Sequence, residues 1–278
     1  MTDEPAARAP GSEAGRSTGT GDPSRTLALL WGLAPQPARR RGPARSLTPE
    51  QITDAALVLA DDAAAAGADG LAAVTMRELA QRLGVAPMSL YTYVPGKPEL
   101  LDLMVDALHA RMPREPWPDG GSPWRERLTT VAQDNRALLR GHPWLTEVAA
   151  LSRPPLGPGT MAKYEHELAA FDGTGLADVD IDAALAHLLG FVQSHLRSAH
   201  DAARVRTDTA LSDAAWWEAN QPLLERALDA ERYPRAVRIG AAAGQAQGSA
   251  WDAERAWEFG LARTLDGLGV LIEGHTAR

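Results

Sequence analysis

The stretch from Thr75 to Lys97 reads TMRELAQRLGVAPMSLYTYVPGK, and it writes a helix, a turn and a second short helix in 23 residues. Thr75 followed by Glu78 is a capping box, in which each side chain bonds a backbone N–H of the other, so a helix starts there. Leu79, Ala80 and Leu83 give that helix its apolar face. Gly84 then supplies the left-handed conformation that ends a helix and turns the chain. Pro87 suits the first turn of the next helix, where its missing N–H would have had no partner. The pattern predicts a second helix from Pro87 to Tyr93, stopped by Pro95-Gly96, with Leu90 as its apolar anchor. Its other side chains are Met88, Ser89, Tyr91, Thr92 and Tyr93. Hydroxyls and aromatics on so short a helix suit base edges and phosphates. Helical hairpins of this size also serve as plain structure, although their outer faces then more often carry charge pairs and alanines.

The flanks extend the pattern. Thr48-Pro49-Glu50-Gln51 is another capping box with proline at the first helical position, and Ile52, Ala56, Leu59 and Ala60 follow at helical spacing. A helix of about 18 residues is expected, ended by Gly67-Ala68-Asp69-Gly70. A further helix opens at Pro98 and runs through Leu100, Leu101, Met104, Val105 and Leu108. The expectation is a compact three-helix head with a long helix leaving it.

The net charge of −8 looks wrong for a chain that meets DNA, but the charge is uneven. Residues 1–47 carry seven arginines against four acids, whereas residues 48–102 carry three basic and eight acidic side chains. The acids of the head lie mainly on its first helix and the following turn, while Thr75 to Pro98 has Arg77, Arg82 and Lys97 against Glu78 alone. The field at the reading face is therefore positive. The run Arg39-Arg40-Arg41-Gly42-Pro43-Ala44-Arg45 reads either as an arm reaching a minor groove or phosphates, or as a solvated tether.

Composition bounds the rest. No run of 18 apolar residues exists, and TLALLWGL (Thr26 to Leu33) lacks the preceding basic region of an export signal, so a cytoplasmic location is expected. The absence of cysteine excludes disulfides and thiolate metal sites. Residues 1–25, rich in Gly, Ser, Thr, Pro and Ala, are expected to be disordered; Leu27, Leu30 and Trp31 allow one docked helical turn without saying where. Catalysis finds no foothold. Glu165-His166-Glu167 lacks the second histidine of H-E-x-x-H, and no paired Glu-x-x-His, G-x-S-x-G, P-loop or dinucleotide fingerprint occurs. No cofactor or metal is called for.

Beyond residue 103 the periodicity is helical throughout. It predicts Trp124 to Ala149 broken at Gly141-His142-Pro143, then Gly159 to Ala170, Ile181 to His200, and Asp213 to Asp229. A Gly, Ala and Gln-rich loop is expected from Arg238 to Ser249. The last helix, Trp251 to Ile272, places Trp257, Leu261, Leu265, Leu268 and Ile272 on one stripe, with Gly260, Gly267 and Gly269 allowing close approach. That stripe suits dimerisation or packing within its own subunit.

Over Leu47 to Met104, the first helix, VTMRELAQRLGV, SLYTYV and GKPELLDLM together resemble the tetracycline-repressor (TetR) family of one-component regulators. The resemblance implies that Arg77, Pro87, Met88, Ser89, Tyr91, Thr92, Tyr93 and Lys97 lie at DNA, with tyrosine and lysine on phosphates. The C-terminal part is similar to the effector domain of the same family, through LLRGHPWLTEV and LSRPPLGPG with its Arg153-Pro154 pair. It departs from tetracycline-binding members at Met112-Pro113 and VAALSRP, where those carry histidines for the drug and its magnesium. Trp144, Arg153, Met161, Tyr164, His187, Phe191, His195 and Trp217 are the candidate effector contacts, and each also suits ordinary core. His187, Phe191 and His195, four apart, share a helix face.

The resemblance implies an all-α chain. A basic arm (1–47) precedes a helix-turn-helix DNA-binding domain (48–102), which a connecting helix joins to a helical effector-binding and dimerisation domain (103–278). The implied function is a homodimeric transcription regulator, a repressor released from a palindromic operator by a small apolar or amphipathic molecule. The competing readings are a ligand-independent architectural DNA-binding protein and a helical-bundle enzyme.

Overall fold

In the N-terminal half, each helix begins where a short polar side chain or a proline meets an apolar period. The computed structural model describes residues 17–33, 47–117, 122–149 and 152–276. All regular elements among these are helices, and none is long and apolar enough to cross a membrane. The first sixteen residues and the arginine run Arg39 to Arg45 lie outside the described residues.

The chain folds into two compact units, 1–173 and 174–278. The first unit opens with α1 (Pro23–Leu30), whose N-cap Asp22 accepts from the N–H of Arg25 at 2.9 Å. Part of the stretch expected to be structureless is therefore ordered. The reason is tertiary: Thr18, Thr26 and Leu30 are buried against the body, a contact that composition does not announce.

The head follows. α2 (Pro49–Ala65) carries the full capping box, with Thr48 Oγ1 accepting from Gln51 N–H and Gln51 Oε1 from Thr48 N–H. Asp69 accepts from the N–H groups of Leu71 and Ala72, both at 3.0 Å, and so makes an additional one-turn helix, α3 (Gly70–Ala73), out of the expected turn. α4 (Met76–Leu83) starts under Thr75, whose hydroxyl accepts from Glu78 N–H at 3.1 Å, and ends at Gly84 with φ +68°. The next helix, α5, is shorter than expected, Pro87–Leu90; Tyr91 to Val94 continue in tight turns in which Tyr93 N–H donates to Leu90 O. Ile52, Ala56, Leu71, Val74, Leu79, Leu90 and Val94 close the core of the head. Burial of this kind contributes roughly 1.5–3 kcal/mol per large aliphatic side chain.

α6 (Lys97–Arg111) leaves the head and packs along α9 (Pro158–Ala169). Their close approach uses Gly157 and Gly159, where a Cβ would run into the Asp106 carboxylate and the backbone of α6. Asp106 accepts from the N–H groups of Gly159 (3.2 Å) and Thr160 (2.7 Å), so a carboxylate caps the positive end of α9. Between them run α7 (Trp124–Gly141) and α8 (Leu145–Val148), separated at His142-Pro143 as the sequence indicates.

The second unit holds α10 (Asp178–Thr209), α11 (Asp213–Ala227), α12 (Pro234–Gln247) and α13 (Ala253–Thr276). α12 overturns the expected loop from Arg238 to Ser249. Alanine and glutamine are good helix formers, Pro234 starts the helix, and Gly248 ends it with φ +62°. The stripe of Trp257, Leu261, Leu265, Leu268 and Ile272 on α13 is buried within this chain, in the unit where α13 packs on α10. The buried face of α10 supplies Leu185, Leu188, Val192 and Leu196.

Candidate functional site

The α4–α5 hairpin presents the residues expected to meet DNA. Leu79, Ala80, Leu90 and Val94 turn inward, which leaves the polar and aromatic side chains outside. Met88 is 75 % exposed and Tyr91 44 %. Arg77, Pro87, Ser89 and Thr92 are exposed as well, and Tyr93 is half-buried. Pro87 to Leu90 form a single turn, and Met88, Ser89 and Tyr91 are exposed on and directly after it. Arg82, beside them, reaches Asp62 at 3.6 Å in an exposed pair that holds little energy.

Lys97 sits differently. Its ammonium is half-buried and donates to the carbonyl oxygen of Leu71 at 2.6 Å, so the first residue of α6 is braced against α3.

Two further joints tie the head to the rest of the first unit, and sequence reasoning found neither. Asp61 on α2 accepts from the indole N–H of Trp144 and meets His142 Nδ1, both at 2.8 Å. Gly70 lets α3 approach the same corner, since a Cβ there would stand 2.7 Å from Ala60 O and 3.2 Å from Trp144 Cβ. Arg111, at the end of α6, pairs with Asp54 on α2. Such long-range pairs leave no local signal in sequence.

The eight candidate effector residues fall into both units. Trp144 is buried in the α2 joint just described. Arg153 and Tyr164 are exposed, and Met161 is half-buried on α9. In the second unit, Phe191 and His195 form an aromatic cluster with Trp257: the ring centroids lie 5.4 Å apart for Phe191–Trp257 and for His195–Trp257. Trp251 adds a fourth ring, 6.2 Å from His195. Gly260 makes room for Phe191, because a Cβ there would overlap its ring. His187 stands exposed one turn earlier, and Trp217 packs against Gly244 between α11 and α12.

A small cleft in the first unit, with ionisable side chains around it, was also missed. It has room for little more than one water-sized molecule and is lined by Met112, Pro113, Val131, Asp134, Lys163 and Glu167, among others. Lys163 Nζ donates to Glu167 Oε2 at 2.7 Å, and Asn135 Nδ2 donates to Glu167 Oε1 at 2.6 Å. Burial pushes the Asp134 carboxyl above its usual range, against the opposing effect of His166. Trp117 stacks on His166 at 4.8 Å beside it. Behind the cleft, burial and then the Lys163 charge push His109 down to about 3, and its Nδ1 lies 3.0 Å from Thr160 Oγ1.

Comparison with known proteins bears on both sites. A model described as "Bacterial regulatory proteins, tetR family" matches residues 52–104, and one described as "Tetracyclin repressor-like, C-terminal domain" matches residues 116–272. The HTH-type transcriptional repressor DrrR1 of Streptomyces coeruleorubidus is 39% identical over 256 residues, covering 92% of this chain and 89% of that protein. The tetracycline repressor protein class D of Escherichia coli is 39% identical over 95 residues, covering 34% of this chain and 41% of its own length. Among solved structures, the Streptomyces coelicolor TetR family protein ActR in complex with actinorhodin superposes with a TM-score of 0.65 at 25% identity, over 82% of this chain and 97% of that one.

Proposed function

Because this chain belongs to the tetracycline-repressor family of bacterial regulatory proteins, we propose that it is a cytoplasmic homodimeric repressor that leaves a palindromic operator when a small molecule binds its C-terminal part. The chain is a DNA-binding transcriptional regulator; its sign, its partners and its contact residues are the proposal. The observation that carries the reading is the α4–α5 hairpin, with a closed apolar interior and Met88, Ser89 and Tyr91 standing outside it. Met88 and Ser89 read base edges in the major groove, while Arg77, Tyr91, Thr92 and Tyr93 hold phosphates or sugar beside Pro87. Lys97 contributes charge at the margin of that face and also braces α6. We assign residues 48–102 to DNA binding and 103–278 to effector binding and dimerisation, and the chain works by binding rather than catalysis.

The relative DrrR1 is a repressor by name, and the similar ActR structure holds actinorhodin, which supports a repressor that takes a small molecule. We place effector contacts on Phe191, His195, His187 and Trp217 of the second unit. An apolar or amphipathic effector suits rings with few charges. Dimerisation uses the outward face of α13, where Phe259 and Val270 are 65 % and 77 % exposed and Gly267 opens onto free space. An effector that prefers the dimer ill-fitted to DNA weakens operator binding by the same factor.

Selection from a random duplex pool tests the reading. The full chain should enrich a palindrome, and Ser89→Ala and Met88→Ala should each change its base preference; identical motifs from both variants and the parent would remove these residues from base readout.

A further inference from the structure

Residues 17–33 precede the head and lie outside both family matches, yet they are bound to the first unit at two places with different roles. One is the first turns of α6, directly after the α4–α5 hairpin: Gly19 N–H donates to Asp102 Oδ1 at 3.0 Å, and Asp22 N–H lies 3.4 Å from Glu99 Oε1. The other is the end of α8 and the chain beyond it. Thr18 N–H donates to Val148 O at 3.1 Å, its hydroxyl to Arg153 O at 2.9 Å, and the Trp31 indole N–H to Leu156 O at 2.8 Å. Gly19 is needed for this fit. Its φ is +67°, and a Cβ there would stand 2.8 Å from Arg153 Cβ.

The attachment is specific but lightly held. α1 buries little beyond Thr26 and Leu30, and leaves Leu27, Trp31 and Leu33 exposed. The Thr26 hydroxyl is buried with no hydrogen-bond partner, an expense that docking itself creates. Docking also buries Glu99 and Asp102, and the burial raises the Asp102 carboxyl above its usual range despite the Gly19 N–H. Strong polar address with built-in costs and a small apolar contact describes an element that opens locally, well below the free energy of global unfolding.

We propose that residues 17–33 form a releasable strap that joins the start of α6 to Val148, Arg153 and Leu156, and thereby sets operator affinity by restricting the orientations the head can take. The inference rests on the DNA-binding reading above. A restrained α6 presents the hairpin in fewer orientations, so less freedom is lost on binding DNA. Undocking returns that freedom and lowers affinity.

The test uses the full chain, the duplex enriched by selection, and hydrogen exchange. Gly19→Val combined with Trp31→Ala removes the left-handed fit and the Leu156 hydrogen bond without touching the head. Asp102→Asn keeps an acceptor for Gly19 N–H but removes the buried charge. The double variant should exchange the amides of Thr18 and Asp22 at least about tenfold faster and bind the selected duplex about three- to tenfold more weakly, with non-specific binding unchanged. Asp102→Asn should slow the same amides and tighten the duplex by about twofold. Fast strap exchange with operator affinity like that of the parent would overturn the proposal, as would an Asp102→Asn chain with a slower strap and weaker binding. If the double variant is unfolded by circular dichroism, the sign of the Asp102→Asn effect decides alone. A parent chain that enriches no duplex would overturn the DNA-binding reading and the strap together, whereas the other failures overturn the strap only.

Discussion

At Lys97 one side chain is asked to do two jobs, and they can be separated. An ammonium that meets a phosphate contributes to the salt dependence of binding, whereas one that only braces Leu71 O contributes to stability. Lys97→Met keeps most of the stem and removes the charge, and the salt slope of operator binding should fall by about one unit. A lower melting temperature with the slope unchanged would make Lys97 a brace alone. His109 offers a second test at this scale. Its pKa falls from 6.5 to about 3 in the folded chain, so the unfolded chain binds the extra proton between those values. Stability is then fully present above pH 6.5 and is lost as the pH drops toward 3, by about 1.4 kcal/mol per unit for this one group. His109→Gln should flatten the acid limb by that amount in urea melts from pH 4 to 7. An unaltered slope would mean that His109 is charged in the fold.

Among the elements, α13 carries two faces that predict opposite outcomes. Leu265 is 3 % exposed within its own chain, so Leu265→Glu buries an unpaired carboxylate and should cost several kcal/mol of stability in the second unit. Val270→Glu, on the outward face, should leave helicity intact and dissociate the dimer in light scattering, with operator binding lost. A Val270→Glu chain that stays dimeric would place the interface on other helices. The starts and stops of the elements were legible where their cause is local. Thr48 with Gln51, Gly84 and Pro87 act through hydrogen bonds and backbone preferences within four residues, and the structure uses them as read; at Thr75 only half of the expected box forms, because Thr75 N–H donates to Ala73 O and not to the Glu78 side chain. α12 was misread because glycine-rich alanine sequence serves both helix and loop, and Pro234 and Gly248 had to be weighed as a pair. The docking place of α1 and the Asp61–Trp144 joint were hidden for a different reason. The Gly19–Asp102 bond just ahead of α1 and the Asp61–Trp144 bond each span 83 residues, and only the fold brings their ends together.

For the whole molecule, the candidate DNA surface was readable as exposed side chains on a hairpin, while the effector residues were not resolved by periodicity. Phe191 and His195 proved to share a ring cluster with Trp257 and Trp251, which a spacing of four could suggest only for the first two. Phe191→Ala should therefore weaken the melting-temperature gain produced by an effector identified from a compound screen, and leave operator affinity without effector intact. A loss of about 3–5 kcal/mol in denaturant melts, with the ligand response unchanged, would mark Phe191 as packing only. In the proposed homodimer, two copies of the α4–α5 hairpin read two halves of one site. Footprinting of the full chain on its selected duplex addresses that most directly. Two protected half-sites in inverted repeat are expected, centred about 34 Å or one helical turn apart, both lost in the dimer-breaking Val270→Glu chain. A single protected half-site, or protection that survives as a pair when the chain is monomeric, would contradict it.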